Sequence, residues 1–535
     1  MIPERTRRGY NRVRGLESNA LGINSIERYK SLNQSSGDPA STICVSIGRG
    51  RHKHMRAEHQ HLAENGARLV ELRLDYIRRA VTLKRLLRDR KCPVVATCRR
   101  PQDGGKWSGT EAERVILLRA AIVEGVDYVD LEEEIADAIP RYGDTKRIIS
   151  MHDFDETPDD LEEIHARLAA KDADIVKIAC MANSPNDVTR ILKLIEGSEI
   201  PTVGICMGDM GMPSRLLAGK FGAPFTFATF HHERTIAPGQ LSFEEMTETY
   251  GYETIDAETE VFGVIADPVG HSMSPVIHNA GFDHLNMNRV YLPFRIPKDH
   301  LNQFVDDAPS LGIRGLSVTI PHKQEIMASL TKIESGARKI GAVNTVIFDG
   351  DEIIGYNTDL YGAMVSLAEA AEADPDEKWL TGKKVLLLGA GGVARAIGVG
   401  AKDRGAELLV TSRTYERAVE LAAKLEGEAL AWEDRHSANA DVLVNCTPVG
   451  MHPKMNETPF EEAGFTRGMI VFDTIYNPEQ TLLIKQARNH DCRTVTGIEM
   501  FVRQAELQFK LFSGEEAPLD IMRETFRRTI SSANY

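Results

Sequence analysis

Short apolar runs rich in β-branched residues, each followed by a polar or amphipathic stretch, recur eight times between residues 42 and 229. Such runs, bounded by turn signals, indicate buried strands, and the stretches between them indicate helices. The eight predicted strands are Thr42–Ile47, Arg68–Leu74, Val94–Cys98, Val126–Leu131, Arg147–Met151, Ile175–Ile178, Thr202–Met207 and Phe225–Thr229. Eight successive βα units predict a (β/α)8 TIM barrel, although a doubly wound sheet shows the same alternation.

The alternation breaks near residues 251–260 and then resumes with predicted strands at Val261–Ile265, Leu316–Ile320 and Val343–Phe348. After a polar stretch, the strand Lys384–Leu388 runs into a group of glycines. We therefore predict an α/β protein in four parts. These are a disordered tail at 1–40, a barrel at 41–255, an α/β substrate domain at 259–370 joined by C-terminal helices at 500–535, and a Rossmann domain at 371–499.

The first 40 residues are rich in Arg, Asn and Ser and lack apolar periodicity, which predicts a disordered tail. A transit peptide is also basic, but Glu4, Glu17 and Glu27 count against one. The seven cysteines include no C-x-x-C pair, which indicates free thiols in a reducing compartment. We expect a cytoplasmic protein, with an organelle such as the plastid as the alternative.

The formal net charge of −14 makes the chain a poor ligand for nucleic acid or for an anionic membrane. No apolar run reaches the length of a membrane span. We expect small-molecule substrates, and the sequence leaves the oligomeric state open. The histidines that follow the first predicted strand do not have the spacing of a zinc site, so we predict no metal.

The carboxyl ends of the barrel strands should carry the active site. Those ends present, in chain order, Arg73, Arg99, Glu132, His152, Lys177 and Met207, and Gln240 follows the last strand. Lys177 lies between apolar neighbours, where an amine can form an imine with a ketone; a buried ion pair with Glu132 or Asp153 is the alternative. His152 precedes it by one strand and is a candidate general acid/base, with Asp103 or Glu132 to orient its ring.

Six segments in this region resemble type I 3-dehydroquinate dehydratase, in that family's order, over about residues 42–250. They are Glu71–Asp75, Thr97–Arg99, Met151–Phe154, Asp174–Ile178, Met207–Arg215 and Ala237–Gln240. The resemblance implies that Lys177 forms the Schiff base, that His152 is the general acid/base and that Arg215 pairs with the substrate carboxylate. It also implies further substrate contacts from Glu71, Arg73, Arg99 and Gln240. The chain departs from the family at Asp103, which replaces Glu, and at Ile236, which replaces Ser.

A glycine-rich turn follows Lys384–Leu388, with the pattern G-x-G-x-x-A that dinucleotide-binding sheets use to approach a pyrophosphate. Its residues are Gly389, Ala390, Gly391 and Gly392. The next strand ends at Arg413, with Arg417 on the following helix, where an NAD-binding protein usually has an acid. Two cations fit a 2′-phosphate and predict NADP; a surface Arg pair is the alternative.

Further motifs resemble shikimate dehydrogenase over about residues 260–525: Ser272–Pro275, Ser317–Lys323, Ala342–Thr345, Gly355–Asp359, Asn445–Met451 and Asp473–Pro478. The resemblance implies that Lys323 and Asp359 form the catalytic pair. It places Ser272 and Ser274 on the substrate carboxylate, with Thr319, Asn344 and Gln504 on ring hydroxyls. It adds Ser412, Thr414, Thr447, Tyr476 and Gly497 to the cofactor site. Ser412 departs from the family's Asn.

The two resemblances together imply an enzyme of the shikimate pathway, which leads to chorismate and the aromatic amino acids. It would dehydrate 3-dehydroquinate and then reduce 3-dehydroshikimate to shikimate with NADPH. Two alternatives remain open. One is a regulatory sensor built on the same folds, which retention of Lys177, His152, Lys323 and Asp359 argues against. The other is a catabolic enzyme whose second unit is an NAD-dependent quinate/shikimate dehydrogenase.

Overall fold

A computed structural model describes residues 41–270 and 272–532 of the chain, so the predicted tail at 1–40 lies outside the described residues. The first 190 or so of these residues form eight parallel strands, most of them followed by a helix. The elements are β1 Thr42–Ile47, α1 His52–Glu64, β2 Leu69–Arg73, α2 Leu83–Leu87, β3 Val94–Thr97, α3 Glu111–Val123, β4 Tyr128–Glu132, α4 Glu133–Ala136, β5 Lys146–Asp153, α5 Leu161–Ala169, β6 Ile175–Met181, α6 Pro185–Glu196, β7 Thr202–Met207, α7 Met212–Leu217 and β8 Phe225–Thr229. The predicted TIM barrel is confirmed.

The barrel sheet runs in the hydrogen-bonded order β7-β6-β5-β4-β3-β2-β1-β8, with a seam between β7 and β8. Inside it, the amino-terminal half is filled by apolar side chains, including Cys44, Leu69, Val95, Ile148 and Phe225. Because successive strand residues face opposite sides, the residues two positions after the first four face the same interior nearer the carboxyl ends; these are Ser46, Glu71, Thr97 and Ser150. The fold thus builds a polar chamber on an apolar floor.

The second sheet has the order β10-β9-β11-β13-β14-β12 and mixes parallel with antiparallel pairs. Its elements are β9 Glu260–Ala266, α8 Ser274–His284, β10 Arg289–Arg295, α9 Leu301–Asp307, β11 Ile313–Val318, β12 Lys332–Ile333, α10 Ser335–Ile340, β13 Thr345–Asp349, β14 Glu352–Tyr356 and α11 Thr358–Ala371. The strand predicted at Leu316–Ile320 is observed as β11, Ile313–Val318, which begins and ends earlier in the chain. Thr319 and Ile320 leave the sheet ahead of Pro321, which has no N–H to donate to a ladder.

The third sheet is parallel throughout and has the order β17-β16-β15-β18-β19-β20, the doubly wound arrangement of a Rossmann fold. Its elements are β15 Lys384–Leu388, α12 Gly392–Asp403, β16 Glu407–Thr411, α13 Tyr415–Lys424, β17 Glu428–Leu430, β18 Val442–Asn445, β19 Ile470–Asp473, α14 Leu482–Asn489 and β20 Arg493–Val495. The glycine-rich turn joins β15 to α12 at the centre of the sheet. There the strand order reverses and dinucleotides bind.

Two C-terminal helices, α15 Gly497–Ser513 and α16 Leu519–Ser532, return to the second sheet. Their apolar faces share a buried cluster with β9 and α8 that includes Phe262, Ile277, Phe509 and Phe526. α15 also packs along α11. The end of the chain therefore completes the core beneath the second site and carries Gln504 into it.

His278 on α8 is fully buried in this aromatic cluster, with its ring stacked 4.5 Å from Tyr291. Neither ring nitrogen makes a hydrogen bond to another described residue. Burial lowers the pKa of His278 to about 3. The nearby Gln508 side chain favours the charged form of the ring, but the two side chains are not in hydrogen-bond geometry. The ring is therefore neutral in the folded protein near neutral pH.

We expect His278 to make the dehydrogenase half less stable in acid. The unfolded chain binds a proton at this ring below about pH 6.5, whereas the folded protein does so only near pH 3, so stability falls as the pH drops between these values. From pH 7 to pH 5 this single group should cost about 2 kcal/mol. Urea unfolding of wild type and His278→Phe at both pH values measures it. An equal pH effect in both proteins would contradict the prediction, and His284→Ala, exposed on the same helix, is the control.

Two candidate active sites

The barrel chamber collects the charged residues predicted from the strand ends. Lys177 on β6 has its Nζ 2.9 Å from Asp130 Oδ2 and 4.1 Å from the centroid of the Phe227 ring, and its side chain is only 6% exposed. The expected alternative partners were wrong: Glu132 pairs with Arg99 and Arg114, and Asp153 accepts backbone N–H groups. Asp130 lies two residues before the end of β4, so it is deeper in the barrel than a strand-end reading reaches.

Asp130 forms ion pairs with two cations of the chamber, Arg99 and Lys177. Its Oδ2 lies 2.8 Å from Arg99 Nη2 as well as near Lys177, and its Oδ1 accepts a 2.6 Å hydrogen bond from Ser150 Oγ. Burial works against the charge of this carboxylate, but Arg99 and Lys177 outweigh it and hold the pKa of Asp130 well below its usual range. Asp130 is therefore ionised and keeps Lys177 inside the barrel.

His152 on β5 faces a guanidinium instead of a carboxylate. Its Nδ1 is 3.1 Å from Arg99 Nη1, whereas Asp103 lies 2.6 Å from Arg100 Nε. The prediction that Asp103 or Glu132 orients the ring is therefore wrong for this structure, because neighbouring arginines engage both carboxylates. Burial, then Arg99 and Lys177, lowers the pKa of His152 well below 6.5. Since a guanidinium only donates, we assign the proton of the neutral ring to Nε2.

Glu71 and Arg73 are held by their neighbours on the same face. Glu71 accepts hydrogen bonds from Ser46 Oγ at 2.6 Å and from Thr97 Oγ1 at 2.8 Å. Arg73 makes a bidentate pair with Asp75, at 3.0 and 2.9 Å. Strand-end reading missed Ser46, Thr97 and Asp130. They could have been identified from the sequence, because every second residue of β1, β3 and β4 faces the inside of the barrel.

Arg215, on α7 behind the β7 loop, is a buried cation without a carboxylate among the described residues. Its Nη2 donates to Pro238 O at 3.3 Å, and its Nε has no hydrogen-bond partner there. Burial lowers the pKa of Arg215 to about 10. A buried guanidinium of this kind is costly unless an anion joins it.

Gln240 closes the loop that meets Arg215. Its Oε1 accepts hydrogen bonds from Ile236 N at 2.8 Å and Ala237 N at 3.1 Å. Gly239 has a φ of 71°, and a Cβ there would clash with the carbonyl of Gly208. The loop from β8 therefore lies against the loop from β7 at the barrel mouth, and at the Ile236 departure it is the backbone that bonds Gln240.

The second site is a cavity of about 340 Å³ between the substrate and Rossmann domains. Nine of the predicted residues line it: Ser272, Ser274, Thr319, Lys323, Asn344, Asp359, Gln504, Tyr476 and Gly497. Ser317 and Gln508 also line it and were missed; Ser317 heads the quoted Ser317–Lys323 motif, and Gln508 lies one helical turn after Gln504. The structure thus brings together groups that are far apart in the chain, such as Ser272 and Gln504, which are 232 residues apart.

Lys323 and Asp359 form an ion pair at the centre of this cavity, with Nζ 2.6 Å from Oδ2. Asn344 Nδ2 donates to Asp359 Oδ1 at 3.0 Å, and Gln504 Oε1 accepts from Thr358 Oγ1 at 3.3 Å. Another part of the lining is the start of α8 at Ser274, whose backbone N lies 3.4 Å from Ser272 Oγ. Hydroxyls beside a helix N-terminus are suited to a carboxylate.

The glycine-rich turn opens toward the same cavity, which Val393 of α12 also lines. Gly389 has a φ of 108°, and a Cβ on Gly391 or Gly392 would meet no other part of the described chain within 4 Å, chain neighbours and the helix's own backbone aside. A side chain on Gly389 would meet Thr447. The N-terminus of α12 has no side-chain cap, and together with the open space beside it this end of the helix fits a pyrophosphate.

The end of β16 presents the residues predicted to bind a 2′-phosphate. Arg413 and Arg417 are both exposed and form no ion pair with another described residue, and Ser412 Oγ accepts from Thr414 N at 3.3 Å. No acid occupies the position that would bind a free ribose hydroxyl. The residues present fit NADP.

No three His, Cys, Asp or Glu side chains within residues 41–270 and 272–532 are grouped so that they could hold a metal ion. Over the same residues, no helix is both long enough and apolar enough to cross a bilayer.

Both halves of the chain are similar to known proteins. The type I 3-dehydroquinase family matches residues 43–257, the shikimate dehydrogenase substrate binding domain matches 264–346, the shikimate / quinate 5-dehydrogenase family matches 371–492, and the shikimate 5′-dehydrogenase C-terminal domain matches 497–525.

Individual relatives cover one or both halves. The bifunctional 3-dehydroquinate dehydratase/shikimate dehydrogenase, chloroplastic, of Arabidopsis thaliana is 36% identical over 505 residues, which are 90% of this chain and 83% of the relative. The shikimate dehydrogenase (NADP(+)) of Methanopyrus kandleri is 42% identical over 51% of this chain and 96% of its own length. The crystal structure of shikimate 5-dehydrogenase from Thermus thermophilus with NADP(H) and shikimate is 30% identical, covering 50% of this chain and 99% of its own, with a TM-score of 0.46.

Proposed function

The chain belongs to the family of bifunctional 3-dehydroquinate dehydratase/shikimate dehydrogenases, and we propose from the two sites which residues perform each reaction. The barrel dehydrates 3-dehydroquinate to 3-dehydroshikimate, and the second unit reduces that product to shikimate with NADPH. The observation that carries the assignment is that two lysines, Lys177 and Lys323, each lie against a carboxylate within a separate site.

In the barrel, Lys177 attacks the ketone carbon of the substrate, and loss of water leaves an imine. The imine acidifies the neighbouring C–H bond, and His152 accepts that proton and then returns it to the departing hydroxyl. Hydrolysis of the imine releases the product and restores the amine. The apolar floor and the Asp130 contact support this role, because they keep the amine inside the chamber.

The His152 nitrogen that would accept the proton is Nδ1, and in this structure it faces Arg99 Nη1 at 3.1 Å. We propose that the substrate draws Arg99 away, which frees Nδ1, and that Glu71, Arg73 and Gln240 contact the substrate beside it. Arg215 would pair with the substrate carboxylate. The unpartnered Nε of this buried guanidinium supports that role, since a carboxylate supplies the bidentate partner that arginine suits.

In the second site, Ser272 and Ser274 would hold the carboxylate of 3-dehydroshikimate while Thr319, Asn344 and Gln504 hold its hydroxyls. The chemistry that bound NADPH supplies is hydride transfer to the ketone carbon. Lys323 then donates a proton to the oxygen, which would otherwise carry alkoxide charge, and Asp359 holds the ammonium in place. The 2.6 Å contact between the two side chains supports this assignment.

Arg413→Ala should weaken NADPH binding by about 10- to 100-fold, the effect of one charge-assisted contact to phosphate, while NADH binding changes little. Calorimetric titration of both cofactors measures this selectivity. Arg467→Ala removes an exposed arginine elsewhere in the Rossmann domain and is the control. If wild type prefers NADH and the Arg413 change has no effect, the enzyme is the NAD-dependent quinate/shikimate type.

A coupled assay tests the whole assignment. Wild-type enzyme given 3-dehydroquinate and NADPH should consume NADPH and form shikimate. Failure of both steps would favour the regulatory sensor, and failure of one would remove that half of the proposal.

For location, we propose the cytoplasm. The acidic residues Glu4, Glu17 and Glu27 interrupt the basic segment that a transit peptide requires. The chloroplastic name of the plant relative keeps the plastid as the alternative, and a fluorescent fusion to the complete chain distinguishes the two.

A further inference from the structure

Two neighbouring strands of the Rossmann sheet end in fully buried polar residues. Asn445 ends β18, Asp473 ends β19, and the two are paired in the ladder. Strand ends at this edge of a doubly wound sheet carry the loops that surround the cofactor. A buried amide and a buried carboxylate at that place are costly unless their hydrogen bonds are satisfied.

Asp473 makes three hydrogen bonds to neutral donors. Its Oδ1 accepts from Asn445 Nδ2 at 3.0 Å and from Ile475 N at 3.1 Å, and its Oδ2 accepts from Thr481 Oγ1 at 2.7 Å. No cation among the described residues forms an ion pair with it. Thr481 in turn caps α14 through Ile484 N at 3.3 Å. The carboxylate thus joins β18 to the loop that follows β19.

Asn445 continues the chain of hydrogen bonds to the other loop. Its Oδ1 accepts from both the backbone N and the Oγ1 of Thr447, at 3.0 and 2.7 Å. Its backbone carbonyl accepts from Thr474 N at 3.1 Å and Thr474 Oγ1 at 2.8 Å. We call Thr447, Asn445, Asp473 and Thr481 the Asn445–Asp473 clamp.

The clamp lies between the cofactor turn and the substrate cavity. Thr447 stands against Gly389 of the glycine-rich turn, while Thr474 and Tyr476, on the loop that Asp473 holds, line the cavity. We propose that Asp473 and Asn445 are positioning residues, which fix Thr447 and Tyr476 relative to each other so that cofactor and substrate meet in register. This inference rests on the proposed reductase function.

A purely structural role makes a different prediction. If the clamp only stabilised the sheet, its loss would lower the melting temperature without changing cofactor affinity in the folded enzyme. Asp473→Ala removes both carboxylate oxygens, so the hydrogen bonds from Asn445, Ile475 and Thr481 are all lost. The loops should then separate while the strands remain paired.

The test uses the full chain. We expect Asp473→Ala to raise the calorimetric Kd for NADPH about tenfold, the effect of one hydrogen bond to a charged group, and to lower the kcat of reduction by a similar factor. The kcat of dehydration should stay within about twofold and serves as the internal measure of folding. Thr494→Val is the control, because it removes a hydroxyl on β20 of the same sheet that contacts Arg488 and lies outside the clamp, so the Kd should not change.

If Asp473→Ala does not fold, Thr474→Val provides the second variant, because it removes only the hydroxyl that donates to Asn445 O. We expect it to raise the Kd for NADPH about threefold, for a weaker neutral contact. An unchanged Kd in the folded variant, with only a lower melting temperature, overturns the inference. Loss of reduction in wild type would instead overturn the proposed function.

Discussion

Replacing Lys177 by Met abolishes dehydration of 3-dehydroquinate, with kcat lower by about 10⁴-fold or more, and leaves reduction of 3-dehydroshikimate within about twofold. The effect is large because the imine cannot form without the amine, so both the bond to the substrate and the acidified C–H are lost. The barrel should stay folded, since Arg99 still lies 2.8 Å from Asp130 and neutralises it. Separate assays of the two steps measure the change.

Borohydride trapping gives this prediction a second readout. Treatment with 3-dehydroquinate and borohydride should attach the reduced substrate to Lys177 in wild type, and mass spectrometry should find no adduct in Lys177→Met. Lys193→Met changes an exposed lysine on α6 and should retain both the adduct and the activity. Dehydration above about one per cent of wild type in Lys177→Met would refute the imine mechanism.

Replacing Lys323 by Met lowers the kcat of reduction about 10³-fold, within the range expected for loss of a general acid. The alkoxide that forms at the ketone oxygen would have no proton donor and no ammonium beside it. NADPH affinity should stay within about twofold, because Lys323 lies in the substrate cavity rather than on the glycine-rich turn. From 3-dehydroquinate, the variant should accumulate 3-dehydroshikimate.

Chromatography of the coupled reaction detects that accumulation directly. Lys332→Met provides a matched control, because Lys332 is exposed on β12 of the same domain, where its Nζ lies 3.9 Å from Glu352. Asp359→Asn should also slow reduction, since the ammonium loses the carboxylate that holds it. A loss of less than tenfold in Lys323→Met would mean that another group, such as a bound water, donates the proton.

The barrel and the Rossmann fold could be predicted from the sequence because their signals are local. Strand periodicity, the βα rhythm and the glycine-rich turn each depend on residues close together in the chain. Lys177 and His152 were found because the carboxyl ends of barrel strands always meet at one face. The strands Thr42–Ile47, Thr202–Met207 and Phe225–Thr229 were predicted to the residue.

The partners inside the sites were harder to predict. The sequence shows that Asp130, Ser150 and Lys177 face inward, since a strand alternates every second residue. It does not show that the Lys177 side chain passes β5 to contact Asp130 on β4. Nor does it show that Asp103 pairs with Arg100, or that Arg99 lies against His152. Those contacts depend on the length and direction of side chains from different strands.

The sequence by itself determined the fold class, the glycine-rich turn and the two lysines that we propose as reactive. Only the tertiary structure decided that Arg215 is a buried cation whose Nε has no hydrogen-bond partner among the described residues, and that Asp473 joins the loops after β18 and β19. The physical reason is range. Backbone periodicity acts over a few residues, whereas an ion pair or hydrogen bond forms between whichever groups packing brings within about 3 Å.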